Sequence, residues 1–420
     1  MNLTQIYDQL PSPAKHAYRC LAAHPAAPIA VPVAEAALTD LPNTIDSLTL
    51  LCEQRLLEPA SITEQPAYRM PPQARDHAIR TARSTGPAEA RQSAYERMCN
   101  SYVITAHRAQ QHLERFGPGW PPAPALTVPH VELLDLSTAL RWFREHQPAL
   151  LAIVMDDRTQ YDVVWRLVVN LSSYWHRAGH PEQAGRAWER AEEAARNPNA
   201  DSSAWPAVLT SAGLVAVAPP TLAERQLTYA LDQWTANPDD HRRPWNAARA
   251  QYALGHVLAQ AGRPERAADR WLRAVADCHR ANDPRTAGWA LIALARYANE
   301  AGELDAAGAY ASSAERYLDD NDLHGAAVAQ VQLAAAHQHH DAEASFLLES
   351  AIRTLERLGA IEDQITAHNI LAQFHRRLGR TDREQDALRR VTRLNQQAED
   401  AQLAIDETVA QRHTQQLASH

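Results

Sequence analysis

The feature that most constrains this chain is a run of paired, alanine-rich amphipathic segments after about residue 160, joined by short turns of Gly, Asp or Asn. Glycines mark the repeat. Gly262 and Gly302 stand 40 positions apart, Gly379 lies 77 further on, and Gly179 lies 83 before Gly262, so each longer gap holds two units and six units result. In the clearest unit, Leu254, Gly255, Leu258, Gly262, Ala267, Trp271 and Ala274 alternate small and large side chains. Gly255 and Ala267 allow two antiparallel helices to approach, the leucines fill the space between them, Gly262 turns the chain, and Trp271 with Ala274 packs on the next unit.

That spacing is the one a tetratricopeptide repeat requires. The template recurs as Leu171, Trp175, Gly179, Ala184, Trp188 and Ala191, and as Leu294, Ala295, Gly302, Ala307 and Ala314. A terminal unit keeps Leu371, Ala372, Gly379 and Leu388 but carries Glu384 at a small-residue position. Pro219 and Pro220 interrupt the second unit, and the HQHHD sequence ending at Asp341 replaces the turn glycine of the fifth. The expected fold is all-α, with a right-handed α-solenoid of about six such pairs over residues 130–400 and a helical or disordered tail over 401–420.

Composition agrees with helices, since 14 glycines in 420 residues leave few of the positive-φ positions that hairpin-rich sheets need. Of 41 basic residues only Lys15 is lysine, a skew of GC-rich coding that makes arginine number a poor guide to phosphate binding. A net charge of -9 argues against an obligate nucleic-acid or anionic-membrane binder. Cys20, Cys52, Cys99 and Cys278 lie far apart with no CxxC pair, which points to a reducing cytoplasm and to neither disulfides nor zinc. The N-terminal MNLTQIYDQL has no signal-peptide pattern, and the longest apolar run, Ala149 to Met155, is too short to span a bilayer.

Residues 117–129 contain Pro118, Pro121, Pro122, Pro124 and Pro129 and cannot continue a helix, so they form a linker at the end of a connecting region, 87–129. Residues 88–116 read as one amphipathic helix with Tyr95, Met98, Cys99, Tyr102, Ala106, Ala109 and Leu113 along a stripe. Within residues 1–86 the order is helix, short helix, helix, extended pair, helix, which predicts a winged helix with its wing around Glu64 to Pro66. Asn43 is the expected N-cap of its third helix, and Ile45, Leu48, Leu51, Cys52 and Leu56 the apolar face.

The segments LPSPAKHAYRCLAAHP, LLCEQRLLEP and YRMPPQARDHA resemble the winged-helix part of actinobacterial STAND regulators of the NB-ARC and tetratricopeptide class. Downstream, ALRWFREHQPALLAIV is similar to the helix that opens their repeat region, and WRLVVNLSSYWHRAGHPEQAGRAWERAEEAAR to their first repeat. Family members carry a P-loop NTPase ahead of the winged helix, but this sequence has no GxxxxGK[ST]. Where the family has an Arg-x-His-Asp segment, Arg69 and Met70 are followed by Pro71 and Pro72. The resemblance therefore implies a regulatory half without its nucleotide switch, non-enzymatic, with the switch discarded or supplied by a separate NTPase.

A winged helix invites DNA contact through residues 43–57, the basis of an alternative reading as a ligand-responsive transcription regulator. Residues 12–83 hold seven basic and seven acidic side chains, so phosphate attraction is weak. The histidines, including His337, His339 and His340, lack the carboxylate or cysteine spacing of a metal site, and no cofactor is expected. Binding is expected on the concave face, where first helices of successive repeats line a channel. Register names Arg166, Ser173 and His176; Arg249, Tyr252 and His256; Trp289, Arg296 and Asn299; and Asn369, Gln373 and Arg376. Arginines, amides and aromatics in one channel suit an extended or carboxylate-bearing peptide, or a protein partner such as an NTPase or a transcription factor. A homodimer is compatible with all of this.

Overall fold

The structure, a computed structural model, describes residues 2–417 except 26–27, 63–64, 86, 114–126, 179–183, 215–217, 237–242, 319–321 and 338–340, with backbone only at 176–178, 184, 243 and 401–417. The described residues are nearly all helical and fall into two compact units, one of 1–112, 119–171 and 189–204, the other of 113–118, 172–188 and 205–420.

The first unit opens with α1 (Leu3–Gln9), α2 (Ser12–Leu21), β1 (Ile29–Ala30), α3 (Val31–Ala37), α4 (Thr44–Glu53), β2 (Glu58–Ile62), β3 (Gln65–Arg69) and α5 (Pro72–Thr85). The strands form one antiparallel sheet in the order β1-β3-β2, with Ile29 opposite Tyr68 and Pro59 opposite the same residue on the other edge. Asn2 and Gln5 close a capping box on α1. Tyr18 of α2 donates to the Ala74 carbonyl of α5 at 2.6 Å. Asn43 does stand at the N-cap of α4, but its side chain makes no capping bond. Leu48, Leu51 and Leu56 are buried as their spacing predicts, whereas Ile45 is 69% exposed and leaves the apolar face one residue short.

Next come α6 (Ala88–Leu113), α7 (Leu136–Val154), α8 (Tyr161–Ala178) and α9 (Ala184–Ala195). The predicted stripe of α6 is buried throughout, and so are Ser101, Thr105 and His107 beside it, so the helix is enclosed on more than one face. It tolerates this because the chain at 129–131 supplies partners: Ser101 Oγ donates to the Pro129 carbonyl at 2.7 Å, and Thr105 Oγ1 accepts from the Val131 amide at 3.2 Å. Most of the predicted proline linker lies outside the described residues; residues 127–134 carry no regular structure.

The remaining helices are α10 (Ala204–Leu214), α11 (Pro220–Ala236), α12 (Arg243–Gln260), α13 (Pro264–Ala281), α14 (Pro284–Ala301), α15 (Leu304–Leu318), α16 (Leu323–Ala336), α17 (Asp341–Leu358), α18 (Ile361–Arg377) and α19 (Thr381–Leu417). Each packs on the next from α11 onward, and α12·α14, α14·α16 and α16·α18 also touch, a succession of packed pairs consistent with an α-solenoid of tetratricopeptide-like repeats. Gly262, Gly302 and Gly379 take left-handed φ of 70, 78 and 66°, each closing the first helix of a pair. Gly179 lies outside the described residues. Pro219 and Pro220 do not break their unit: Pro220 is the first residue of α11. Gly255 is required by contact, since a Cβ there would stand 2.2 Å from Trp271 Nε1. In the last unit Leu388 is 39% exposed and Ala387 takes the buried position, and Glu384 accepts from Arg376 at 2.7 Å.

Candidate partner-binding face

Three successive first helices of the repeats in the second unit, α14, α16 and α18, are joined by polar bridges. Asp283 caps α14 by accepting from the Thr286 amide at 3.1 Å, and Asp322 caps α16 by accepting from the Gly325 amide at 3.1 Å. The second oxygen of Asp322 accepts from Arg285 Nε at 3.1 Å and Trp289 Nε1 at 3.0 Å, both on α14. One unit further on, His324 Nε2 lies 2.6 Å from Asp363 Oδ2 of α18. Asn299 Nδ2 donates to the Gln332 carbonyl at 3.1 Å. Each bridge links one first helix to the next, which fixes their spacing and therefore the face they present.

The predicted residues divide by accessibility. Arg296, Asn369, Gln373 and Arg376 are exposed, while His256, Trp289 and Asn299 are half-buried. Arg249 and Tyr252 are only 5% exposed and Ser173 6%, which leaves them almost no surface for a partner. Tyr252 instead meets the His256 ring edge-on at 4.5 Å, and His256 meets Trp271 at 5.4 Å. Trp289 and Asn299 each spend their donor on the neighbouring helix, as above. In the first unit, Arg166 pairs with Asp162 at 3.9 Å and stacks over Trp165 at 4.4 Å, and burial lowers its pKa. The side chain of His176 lies outside the described residues, as do His339 and His340.

Sequence reasoning passed over Arg285, Asp322, His324 and Asp363. Their signal is present as Asn-Asp-Pro-Arg at 282–285 and Asn-Asp-Leu-His at 321–324: a helix-capping aspartate followed two residues later by a base that reaches the next repeat. Three cysteines are held as neutral thiols, burial pushing Cys20 up to about 11 and Cys99 up to about 12, with Cys278 raised further by the same cause. Among the described residues no helix is long and apolar enough to cross a membrane, and no group of three His, Cys, Asp or Glu is placed to hold a metal ion.

No family model and no curated protein matches the chain. Among solved structures, aspartyl phosphate phosphatase F from Bacillus subtilis is similar at 13% identity and a TM-score of 0.49, over 86% of this chain and 82% of that one. A STAND protein with a tetratricopeptide repeat sensor from Pyrococcus horikoshii is similar at 13% identity and a TM-score of 0.43, over 96% and 66%. A Rap protein in complex with Competence and Sporulation Factor is similar at 13% identity and a TM-score of 0.43, over 64% and 89%.

Proposed function

We propose that this chain is a non-enzymatic regulatory adaptor that holds a protein or peptide along the first helices of the repeats in its second unit. The observation that carries this reading is register. His256, Arg296 and Gln373 each stand six residues before a left-handed turn glycine, and each is at least partly accessible. A cation, an imidazole and an amide at one repeated position make a row of hydrogen-bonding groups suited to the polar backbone and side chains of an extended segment.

The N-terminal elements support a winged-helix reading, because a helix, a strand, two helices and a hairpin in the sheet order β1-β3-β2 is the topology that fold demands. In this reading the module is a switch element rather than a DNA reader, as in the STAND class it resembles. The face of α4 that would enter a groove exposes Ile45, Asp46 and Glu53, and two carboxylates there oppose phosphate.

A photo-crosslinking amino acid placed at Arg296 or Gln373 tests the proposal in the native cytoplasm, with the same group at the exposed Leu272 of α13 as control. One discrete adduct from the first two sites and none from the control is the expected result. Equal labelling from all three, or no adduct from Arg296 and Gln373, rejects it.

A further inference from the structure

The end of the second unit carries a charge pattern that the groove reading does not use. Residues 376–393 hold seven arginines, where 40 arginines spread evenly over 420 residues would place about two, against three acidic residues, in a chain of net charge -9. Arg376 pairs with Glu384 and Arg389 with Asp386. Arg380, Arg383, Arg390 and Arg393 are exposed and make no ion pair among the described residues.

These arginines face a consistent line of neighbours. His368 and His375, seven apart on α18, oppose Arg390 and Arg383, seven apart on the antiparallel α19. Both histidines are almost wholly buried, and the Nδ1 of each has no hydrogen-bond partner. Burial lowers the pKa of both, and the arginines lower it further, Arg390 acting on His368 and Arg383 with Arg380 on His375. Glu356 and Glu349 of α17 act in the opposite sense on His368 and His375. At each imidazole the arginines act more strongly than the α17 carboxylate.

Helix dipoles account for only part of the pattern. Arg376 and Arg377 complete the last turn of α18, where cations are favoured, but Arg380 and Arg383 stand at the start of α19, where the dipole opposes them.

We propose that the α18–α19 face is a docking surface for an acidic peptide segment of a partner protein, whose carboxylates pair with Arg380, Arg383, Arg390 and Arg393. A peptide fits better than nucleic acid. Asp382 and Asp386 interrupt the arginines and Glu399 and Asp400 follow them, so a continuous phosphate ladder meets repulsion that a peptide with spaced carboxylates avoids. None of these four arginines belongs to the row His256, Arg296 and Gln373, so the proposal does not rest on that row.

The test uses the full chain, a fluorescent helical peptide with glutamates at every third and fourth position, its glutamine counterpart, and a DNA duplex of equal charge. Anisotropy at low salt should show binding of the glutamate peptide alone, weakening as salt rises. The triple variant Arg383→Gln, Arg390→Gln, Arg393→Gln should bind it at least about tenfold more weakly, whereas Arg266→Gln with Arg273→Gln on α13 should not differ from the parent. Because a variant can lose helix, the reversal Arg383→Glu, Arg390→Glu, Arg393→Glu is paired with a lysine peptide, which it should bind and the parent should not. The proposal is overturned if the glutamate peptide does not bind, if the DNA binds as tightly with the same sensitivity to the triple variant, or if the α13 variant is equally impaired.

Discussion

In the first unit the buried polar bridges each occur once: Tyr18 on the Ala74 carbonyl, His24 on Tyr102 at 2.9 Å, Arg97 on the Ala36 and Ala37 carbonyls that end α3. In the second unit one device recurs, an aspartate at or within the first turn of a first helix bridged to a base on the preceding first helix, as Asp322 is to Arg285, with Asp363 and His324 one step on. A core of unique contacts concentrates its sensitivity in a few residues. A core of repeated contacts is breakable at any rung, with consequences that travel only to the neighbours.

Asp322→Ala breaks the second pattern most severely. It strands Arg285, whose side chain is 10% exposed, against an Asp322 side chain that is 1% exposed, and it removes both the helix cap and the acceptor for Trp289. Loss of one partner of a buried ion pair costs about 4 kcal/mol. Urea unfolding followed by hydrogen exchange should show the loss in α14 to α17 and not in α2 or α6; a uniform loss would mean the two units do not differ in this way.

Gly255→Ala probes the same unit through packing. The new Cβ would lie 2.2 Å from the Trp271 indole nitrogen and 2.4 Å from its Cδ1, and Trp271 is buried, so α12 and α13 must separate. Destabilisation of about 3 kcal/mol is expected in the same urea experiment. Ala248→Gly, at a neighbouring buried site on the same helix, should cost only about 1 kcal/mol, so the ratio separates overpacking from helix propensity.

These two residues show how far the sequence could be read. Gly255, Trp271 and the turn glycines were legible because repetition makes each small or large position testable against its equivalents. Asp322 and Arg285 were not, because a capping aspartate looks the same whether its second oxygen faces water or a base 37 residues earlier in the chain. Arg249 and Tyr252 were placed on an open face because periodicity identifies the side of a helix but not how closely the next helix covers it. Ile45 failed in the opposite sense: an apolar residue at core spacing in the first turn of α4 has no neighbour above it to cover it.

Protonation sharpens the comparison from the side of the first unit. His146 of α7 is 3% exposed, stacks on Trp142 at 4.9 Å, and places its Nδ1 3.0 Å from the Trp142 carbonyl. Burial lowers its pKa to about 4. The folded chain therefore keeps His146 neutral where the unfolded chain, with an ordinary histidine pKa of about 6.5, binds a proton. Its contribution is intact above pH 6.5 and is lost as pH falls toward 4, by up to about 3 kcal/mol. His77 of the first unit and His368 and His375 of the second are also lowered by burial and add loss in the same direction. Stability of His146→Phe measured from pH 7 to pH 4.5 should be flatter than that of the parent, and the difference should appear in hydrogen exchange of α6 and α7.

The smallest expected effect lies at Arg55, which follows α4 with a φ of 55°, in the left-handed region. A side chain with a Cβ is strained there by about 1 kcal/mol, and glycine is not. Leu56 and Leu57 both return their amides to the Leu51 carbonyl, at 2.9 and 3.2 Å, so the conformation at Arg55 is imposed by that helix ending and not by its own side chain, which is exposed. Arg55→Gly should therefore stabilise the first unit by up to about 1 kcal/mol, less the greater entropy glycine gives the unfolded chain. Thermal unfolding monitored in the first unit reads the sign directly. A loss comparable to that of a core substitution would show that the Arg55 side chain holds the α4 to β2 connection, and that this unit carries yet another contact that occurs only once.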